Sequence, residues 1–267
     1  MKIVRFVLLV SMGMYLLVVG FLFFAQESFL FQPQTLNQDY QYDFDTNFEE
    51  LFLEMKDGAV LNALHFKQDS AKGVILYFHG NAGNLRRWGE IVQYFITLHY
   101  DVIVMDYRQY GKSKGAWSFE AFLSDADEFY KYTLTHYDEE DIIVYGRSLG
   151  TGIASWVASR NKPKSLILES PYTSVVEMGE FYYPLAPSKW LIRYNFNPLD
   201  YLRSTDIPVY IFHGTNDLIV PFKLGQRLYD ELKPSLEIEL ITIKKGGHND
   251  LIESKIFTDN MEKVLSN

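Results

Sequence analysis

Ile142-Ile143-Val144-Tyr145-Gly146-Arg147-Ser148-Leu149-Gly150-Thr151-Gly152 is the stretch whose reading decides the fold. Four residues apolar on both faces suit a buried parallel strand. A helical pattern, about Leu149–Ser159, follows at once. Between them lies G-x-S-x-G. A serine on so sharp a strand-to-helix turn has strained backbone, and its neighbours must lack side-chain bulk. Gly146 and Gly150 meet that need, and Gly152 lets the helix approach the sheet. The Ser148 hydroxyl then stands clear of the sheet, beside a helix N-terminus that favours developing negative charge. Ser148 is the candidate nucleophile.

Outward from this turn the same rhythm repeats. Val74–Phe78, Val102–Met105, Leu166–Leu168 and Val209–Phe212 are short apolar runs, and Ile238–Ile243 alternates. Helical patterns lie between them, at about Arg86–Leu98, Phe119–His136, Phe222–Leu232 and Asp250–Val264. Strand-helix alternation predicts an α/β fold, a mostly parallel sheet with helices on both faces. Ahead of it, two apolar runs flank Lys56-Asp57-Gly58, a hairpin signal that adds antiparallel strands at one edge. One domain over residues 49–267 accounts for the pattern. The segment from about 171 to 206 is longer than a crossover helix needs. It carries eight aromatic residues and four prolines. A structural excursion on the sheet edge is the plain alternative. Long segments in compact domains are usually functional, so a small lid over an apolar pocket is expected.

A serine needs a base to become nucleophilic. His248 follows the last predicted strand in Gly246-Gly247-His248-Asn249-Asp250, where glycines free the loop. The acid should lie between serine and histidine in the chain. Asp217 qualifies, in His213-Gly214-Thr215-Asn216-Asp217, with Glu169 as the alternative. Strand-end loops on one face of a parallel sheet are where ligands bind, so the three groups would converge. The oxyanion of an acyl intermediate needs amide donors. The N–H of Leu149 is one. The other should come from His79-Gly80-Asn81-Ala82-Gly83-Asn84, with Asn81 ahead of Ala82. His79 and His213 are expected to bond loop backbone, and Asp106 to support a loop. The Gly-rich loop lacks the Walker spacing, and no close metal-ligand spacing occurs, so neither metal nor cofactor is expected.

The N-terminus is of another character. Phe6–Ala25 holds 20 residues without a charge. As a helix it would span about 30 Å, the thickness of the hydrocarbon core. A cleaved signal peptide would have a shorter apolar stretch and small residues before the cut. Here Phe23-Phe24-Ala25 puts bulk there, so residues 1–30 are expected to be an uncleaved anchor and 31–48 a polar spacer. Lys2 and Arg5 precede the span, and no Lys or Arg follows until Lys56. That bias predicts a single-pass protein with its catalytic domain on the non-cytoplasmic side. The net charge of −9 and the lack of a basic run argue against nucleic acid as a partner. With no Cys, disulfides and thiol nucleophiles are excluded.

The motifs His79–Asn84, Asp106-Tyr107-Arg108, Gly146–Gly150 and His213–Asp217 resemble the α/β-hydrolase fold superfamily over about Glu49 to the C-terminus. They look most like its membrane-anchored bud-emergence-homologue proteins and depalmitoylases, often grouped with serine aminopeptidase-type hydrolases. The resemblance implies a Ser148–Asp217–His248 triad, an oxyanion hole at Asn81 and Leu149, and an N-terminal membrane anchor. One departure is Gln109, where the subgroup usually has Gly. The leading expectation is a serine hydrolase acting on acyl esters or thioesters of a small or lipid-like substrate. A serine peptidase and a catalytically silent binding protein are the alternatives. The first would need an acidic site for a substrate amine, and the second usually lacks a triad residue.

Overall fold

The structure, a computed structural model, describes residues 1–266. Helix α1 (Lys2–Leu30) runs 29 residues, about 43 Å at the α-helical rise. It is long and apolar enough to cross a membrane, and its apolar side chains are largely exposed. The chain then enters the domain at once through β1 (Gln32–Pro33). Next come the hairpin β2 (Phe48–Glu54) and β3 (Val60–Phe66), then β4 (Val74–Phe78), β5 (Ala82–Gly83) and α2 (Leu85–Thr97). Strand β6 (Asp101–Met105) precedes α3 (Phe119–Leu134). The central unit is β7 (Ile142–Arg147) and α4 (Leu149–Arg160), followed by β8 (Ser165–Glu169). Short helices α5 (Val175–Tyr182), α6 (Ser188–Leu191) and α7 (Pro198–Leu202) form the long excursion. Strand β9 (Val209–Gly214), α8 (Phe222–Leu232), β10 (Ile238–Ile243) and α9 (Lys255–Ser266) complete the chain.

The eight-stranded sheet has the order β10-β9-β8-β7-β4-β6-β3-β2. From β10 to β6 all neighbours are parallel, whereas β3 runs antiparallel to β6 and β2 to β3. Gly58 in the hairpin turn has φ 81°, which suits glycine. Period-two alternation serves two cores. On β4, Val74, Leu76 and Phe78 join the core beneath α3, α4 and α8, while Ile75 and Tyr77 join the one beneath α2 and α9. All five are buried. Truncating an aromatic side chain in such a core costs about 3–5 kcal/mol. Helix starts are capped as their residue types suggest: Asn84 accepts from the Arg86 amide at 3.0 Å, and Ser118 from the Ala121 amide at 3.0 Å.

The polar composition of residues 31–48 does not leave them free of the domain. Phe31 is buried against Trp117, Phe122 and Tyr194, and β1 pairs with β5. Phe44 packs so closely on Gly89 that a Cβ there would lie 2.3 Å from its ring.

Candidate active site

The chain passes from β4 outward to β6 and returns to β7 on the other side of β4. Such a reversal opens a crevice at the carboxyl ends of the two strands. The loop after β4 holds Gly80, Asn81 and Ala82. The turn after β7 holds Ser148. Both line one cleft of about 190 Å³, together with His248, Asn249 and Ile219.

Ser148 has φ 51° and ψ −116°, a backbone region that L-residues rarely occupy. Its amide is held by the Glu169 carbonyl at 2.9 Å. The turn is closed by backbone contact: a Cβ on Gly150 would lie 2.0 Å from the Phe78 carbonyl oxygen. The Ser148 side chain is half-buried and, among the described residues, has no hydrogen-bond partner. Leu149 opens α4, so the helix itself offers its N–H no acceptor.

His248 and Asp217 meet across the gap between the loops after β10 and β9. The His248 Nδ1 lies 2.7 Å from Asp217 Oδ2, and Asp217 Oδ1 accepts from the amides of Ile219 at 2.9 Å and Val220 at 2.8 Å. With a carboxylate beside it, Nδ1 is assigned as the donor, which leaves Nε2 free as a base. Burial by itself would raise the Asp217 carboxyl. Hydrogen bonds from His213 and His248 and the Val220 amide outweigh it and hold the group well below the ordinary carboxylate range. His213 is fully buried, with Nε2 2.9 Å from the Val220 carbonyl and 3.5 Å from Asp217 Oδ2.

Glu169, the alternative acid, is engaged elsewhere. Its Oε1 lies 3.1 Å from Arg147 Nε, and its Oε2 accepts from the Tyr145 hydroxyl at 2.6 Å. Arg147 is a site residue that the sequence reading left as the unassigned x of the motif. Its Nη2 donates to the His248 carbonyl at 3.2 Å and to Asn249 Oδ1 at 3.3 Å, while the guanidinium lies over Trp88, 5.4 Å from the ring centre. It thereby ties the loop of His248 to the Ser148 turn. Gln32 is another unforeseen residue. Its amide donates to Asn81 Oδ1 at 3.2 Å, and the Tyr110 hydroxyl donates to the Asn81 carbonyl at 2.7 Å, so β1 and Tyr110 set the pose of the β4 loop. Asp106 supports the same loop, accepting from the Leu85 amide at 3.1 Å and lying 3.3 Å from His79 Nε2. His79 Nδ1 is 2.7 Å from the Gly80 carbonyl.

The expected aromatic pocket under residues 171–206 divides in two. Tyr172, Tyr194 and Phe196 are buried in the main core, whereas Tyr182 and Tyr183 line a separate apolar groove and Trp190 is exposed. Gln109, which stands where the resemblance leads one to expect glycine, has φ 67°. The loop keeps a left-handed residue there although its side chain is not glycine's.

The sequence signature of a family described as "alpha/beta hydrolase fold" matches residues 73–188. An uncharacterized protein of Mycobacterium tuberculosis is 29% identical over 224 residues, 81% of this chain and 79% of that protein. The lysophosphatidylserine lipase ABHD12 of Danio rerio is 33% identical over 183 residues, 60% of this chain but 47% of the lipase. Among solved structures, the Pyrococcus furiosus esterase Pf2001 superposes with a TM-score of 0.67 over 89% of this chain and 96% of its own, at 19% identity. Sheet order, the Ser148 turn, the family signature and the relatives agree, and this chain has the α/β-hydrolase fold.

Proposed function

We propose that the protein is a membrane-anchored serine hydrolase that cleaves acyl esters or thioesters of lipid-like substrates. One observation carries this reading: the strained Ser148 and the Asp217-held His248 line a single cleft at the sheet's switch point. Relatives named as a lipase and an esterase support hydrolase chemistry on this fold.

In the proposed reaction, His248 Nε2 takes the Ser148 proton as Oγ attacks the acyl carbonyl carbon. The N–H groups of Leu149 and Asn81 receive the oxyanion. As the tetrahedral adduct collapses, His248 returns the proton to the departing alcohol or thiol. Water then repeats the sequence and frees the acid. Asp217, ionised throughout, holds the imidazole tautomer and stabilises its cation. Among the described residues no carboxylate lines the cleft, which disfavours capture of a substrate amine and hence the peptidase reading. Arg87 stands at the rim, exposed and, among the described residues, without an ion pair. It suits an anionic headgroup, as on a lysophospholipid. Lys2 and Arg5, ahead of the uncharged run Phe6–Ala25, favour a cytoplasmic N-terminus and a catalytic domain on the far side of the membrane.

A fluorophosphonate probe should label the full-length protein and not Ser148→Ala. An ester panel beside aminoacyl anilides should show turnover of esters only. Failure of the folded parent to react with the probe would overturn the hydrolase reading.

A further inference from the structure

The excursion between β8 and β9 meets the anchor helix directly. Gln26, in the last turns of α1, is 6% exposed. Its Nε2 donates to the Leu191 carbonyl at 3.1 Å, and its Oε1 accepts from the Arg193 amide at 2.9 Å. Glu27 Oε1 accepts from the Tyr194 hydroxyl at 2.5 Å and from Arg193 Nη2 at 3.1 Å. Ten residues before Ala25, the Tyr15 hydroxyl donates to the Leu185 carbonyl at 3.1 Å. If Phe6–Ala25 fills the hydrocarbon core, Leu185 lies about 15 Å inside its outer boundary.

The chemistry of that tip suits a bilayer. Phe181 to Ser188 contains no charged residue, and Pro184 and Pro187 have no N–H to satisfy. The Ala186 amide bonds the Tyr183 carbonyl at 2.9 Å, and the Ser188 amide bonds the Ala186 carbonyl at 2.8 Å. Lipid offers exposed backbone no partners, so a carbonyl capped by a membrane-helix tyrosine is what immersion demands. Around it, Tyr183 is 68% exposed, and Leu185 and Trp190 are 87% exposed. Such apolar and aromatic exposure is costly in water and favourable at a membrane interface.

Between the two elements lies an apolar groove of about 300 Å³. Leu22 and Phe29 of α1 form one wall. Val175, Met178 and Tyr182 of α5, with Ile192, form the other. Tyr182 also reaches the catalytic cleft, since its hydroxyl donates to the carbonyls of Leu218 at 2.8 Å and Ile219 at 3.0 Å, and Ile219 lines that cleft. On the anchor side, Leu30 lines the groove and Gln32 the cleft, only two residues apart.

We propose that this groove is the acyl-chain site of the enzyme, that the anchor helix is one of its walls, and that it admits the chain of a single-chain lipid sideways from the outer leaflet. The anchor then does more than hold the enzyme at the surface: it selects the length of the chain. The proposal rests on the hydrolase reading above, and it is tested with the full-length protein in lipid vesicles. Rates on p-nitrophenyl palmitate and butyrate are compared for the parent, Leu22→Trp, which fills the groove, and Leu17→Trp, which adds the same bulk at a lipid-facing position 75% exposed. Leu22→Trp should lower the palmitate-to-butyrate ratio by about tenfold or more, and Leu17→Trp should leave it at the parental value. Met178→Trp, on the opposite wall, should act as Leu22→Trp does, and it decides the matter if Leu22→Trp does not accumulate. An unchanged ratio in a folded groove variant overturns the proposal. The hydrolase reading fails separately, if the parent hydrolyses neither ester or if Ser148→Ala hydrolyses both.

Discussion

Asp217→Asn is the substitution whose outcome the geometry determines most closely. Oδ1 of Asp217 is fixed by two backbone donors, the amides of Ile219 and Val220, while Oδ2 faces His248 Nδ1. An asparagine must keep its carbonyl on the two amides. Turning it over would set its NH₂ against them and forfeit two hydrogen bonds, about 1 kcal/mol each before the cost of unpaired donors. The NH₂ therefore faces the imidazole and donates to Nδ1. That moves the ring proton to Nε2, the nitrogen that must accept from Ser148. The expected loss in kcat is about 10⁴-fold, or about 5.4 kcal/mol at 1.36 per decade, the scale found when a triad aspartate elsewhere is amidated. The assay is steady-state butyrate-ester hydrolysis by the full-length variant, with circular dichroism to confirm folding. A loss under about tenfold would refute the assignment of Asp217. Stability should respond as well. The depressed Asp217 carboxyl contributes stability above the unfolded carboxylate value of about 3.9, and this is lost as pH falls through the lower folded value. Urea midpoints of parent and variant should therefore converge in acid.

Other consequences are independent of that one. Gln109→Gly, at φ 67°, should raise stability by about 1 kcal/mol in urea unfolding. Gly150→Ala puts a Cβ 2.0 Å from a backbone oxygen that cannot swing aside, so a loss of at least about 3 kcal/mol is expected, a fall of about 6–12 °C in Tm. Burial, then the nearby charges of Lys67 and His136, lowers the His65 imidazole to about 3. Below about pH 6.5 the unfolded chain takes up a proton that the folded one refuses, so stability falls with pH. His65→Gln should remove up to about 3 kcal/mol of the loss between pH 7 and pH 4, measured by urea titration at each pH. Arg87→Gln should reduce the preference for an anionic lysolipid over a neutral monoacylglycerol by about tenfold, read as a ratio of kcat/KM.

Local chemistry made the strained Ser148 turn legible from the residues alone. Gly146, Ser148 and Gly150 are close in sequence, and their crowding against Phe78 and Ala154 is built into any strand-turn-helix junction of that type. The buried strands were equally plain, because residues apolar on both faces leave few other structures open. So was α1, whose uncharged run needs no partner to declare itself. The caps at Asn84 and Ser118 follow the same logic of near neighbours. What resisted reading is contact between remote segments. Arg147 holds the loop of His248, 101 residues away, and its partner Glu169 is engaged by Arg147 and the Tyr145 hydroxyl. Residues 31–48 look like a polar tether, yet Phe31 fills a hole among Trp117, Phe122 and Tyr194.

Periodicity and spacing report what one residue owes its neighbours along the chain. They carry no record of which distant surface will cover it. Strand, helix, turn and the long apolar N-terminal helix were therefore determined by the sequence itself. Only the folded chain decided that Gln26 and Tyr15 of α1 would bond the excursion, and that an apolar groove would open between them. Those bonds join residues 170 and 165 positions apart, a separation that no preference between neighbours along the chain can specify.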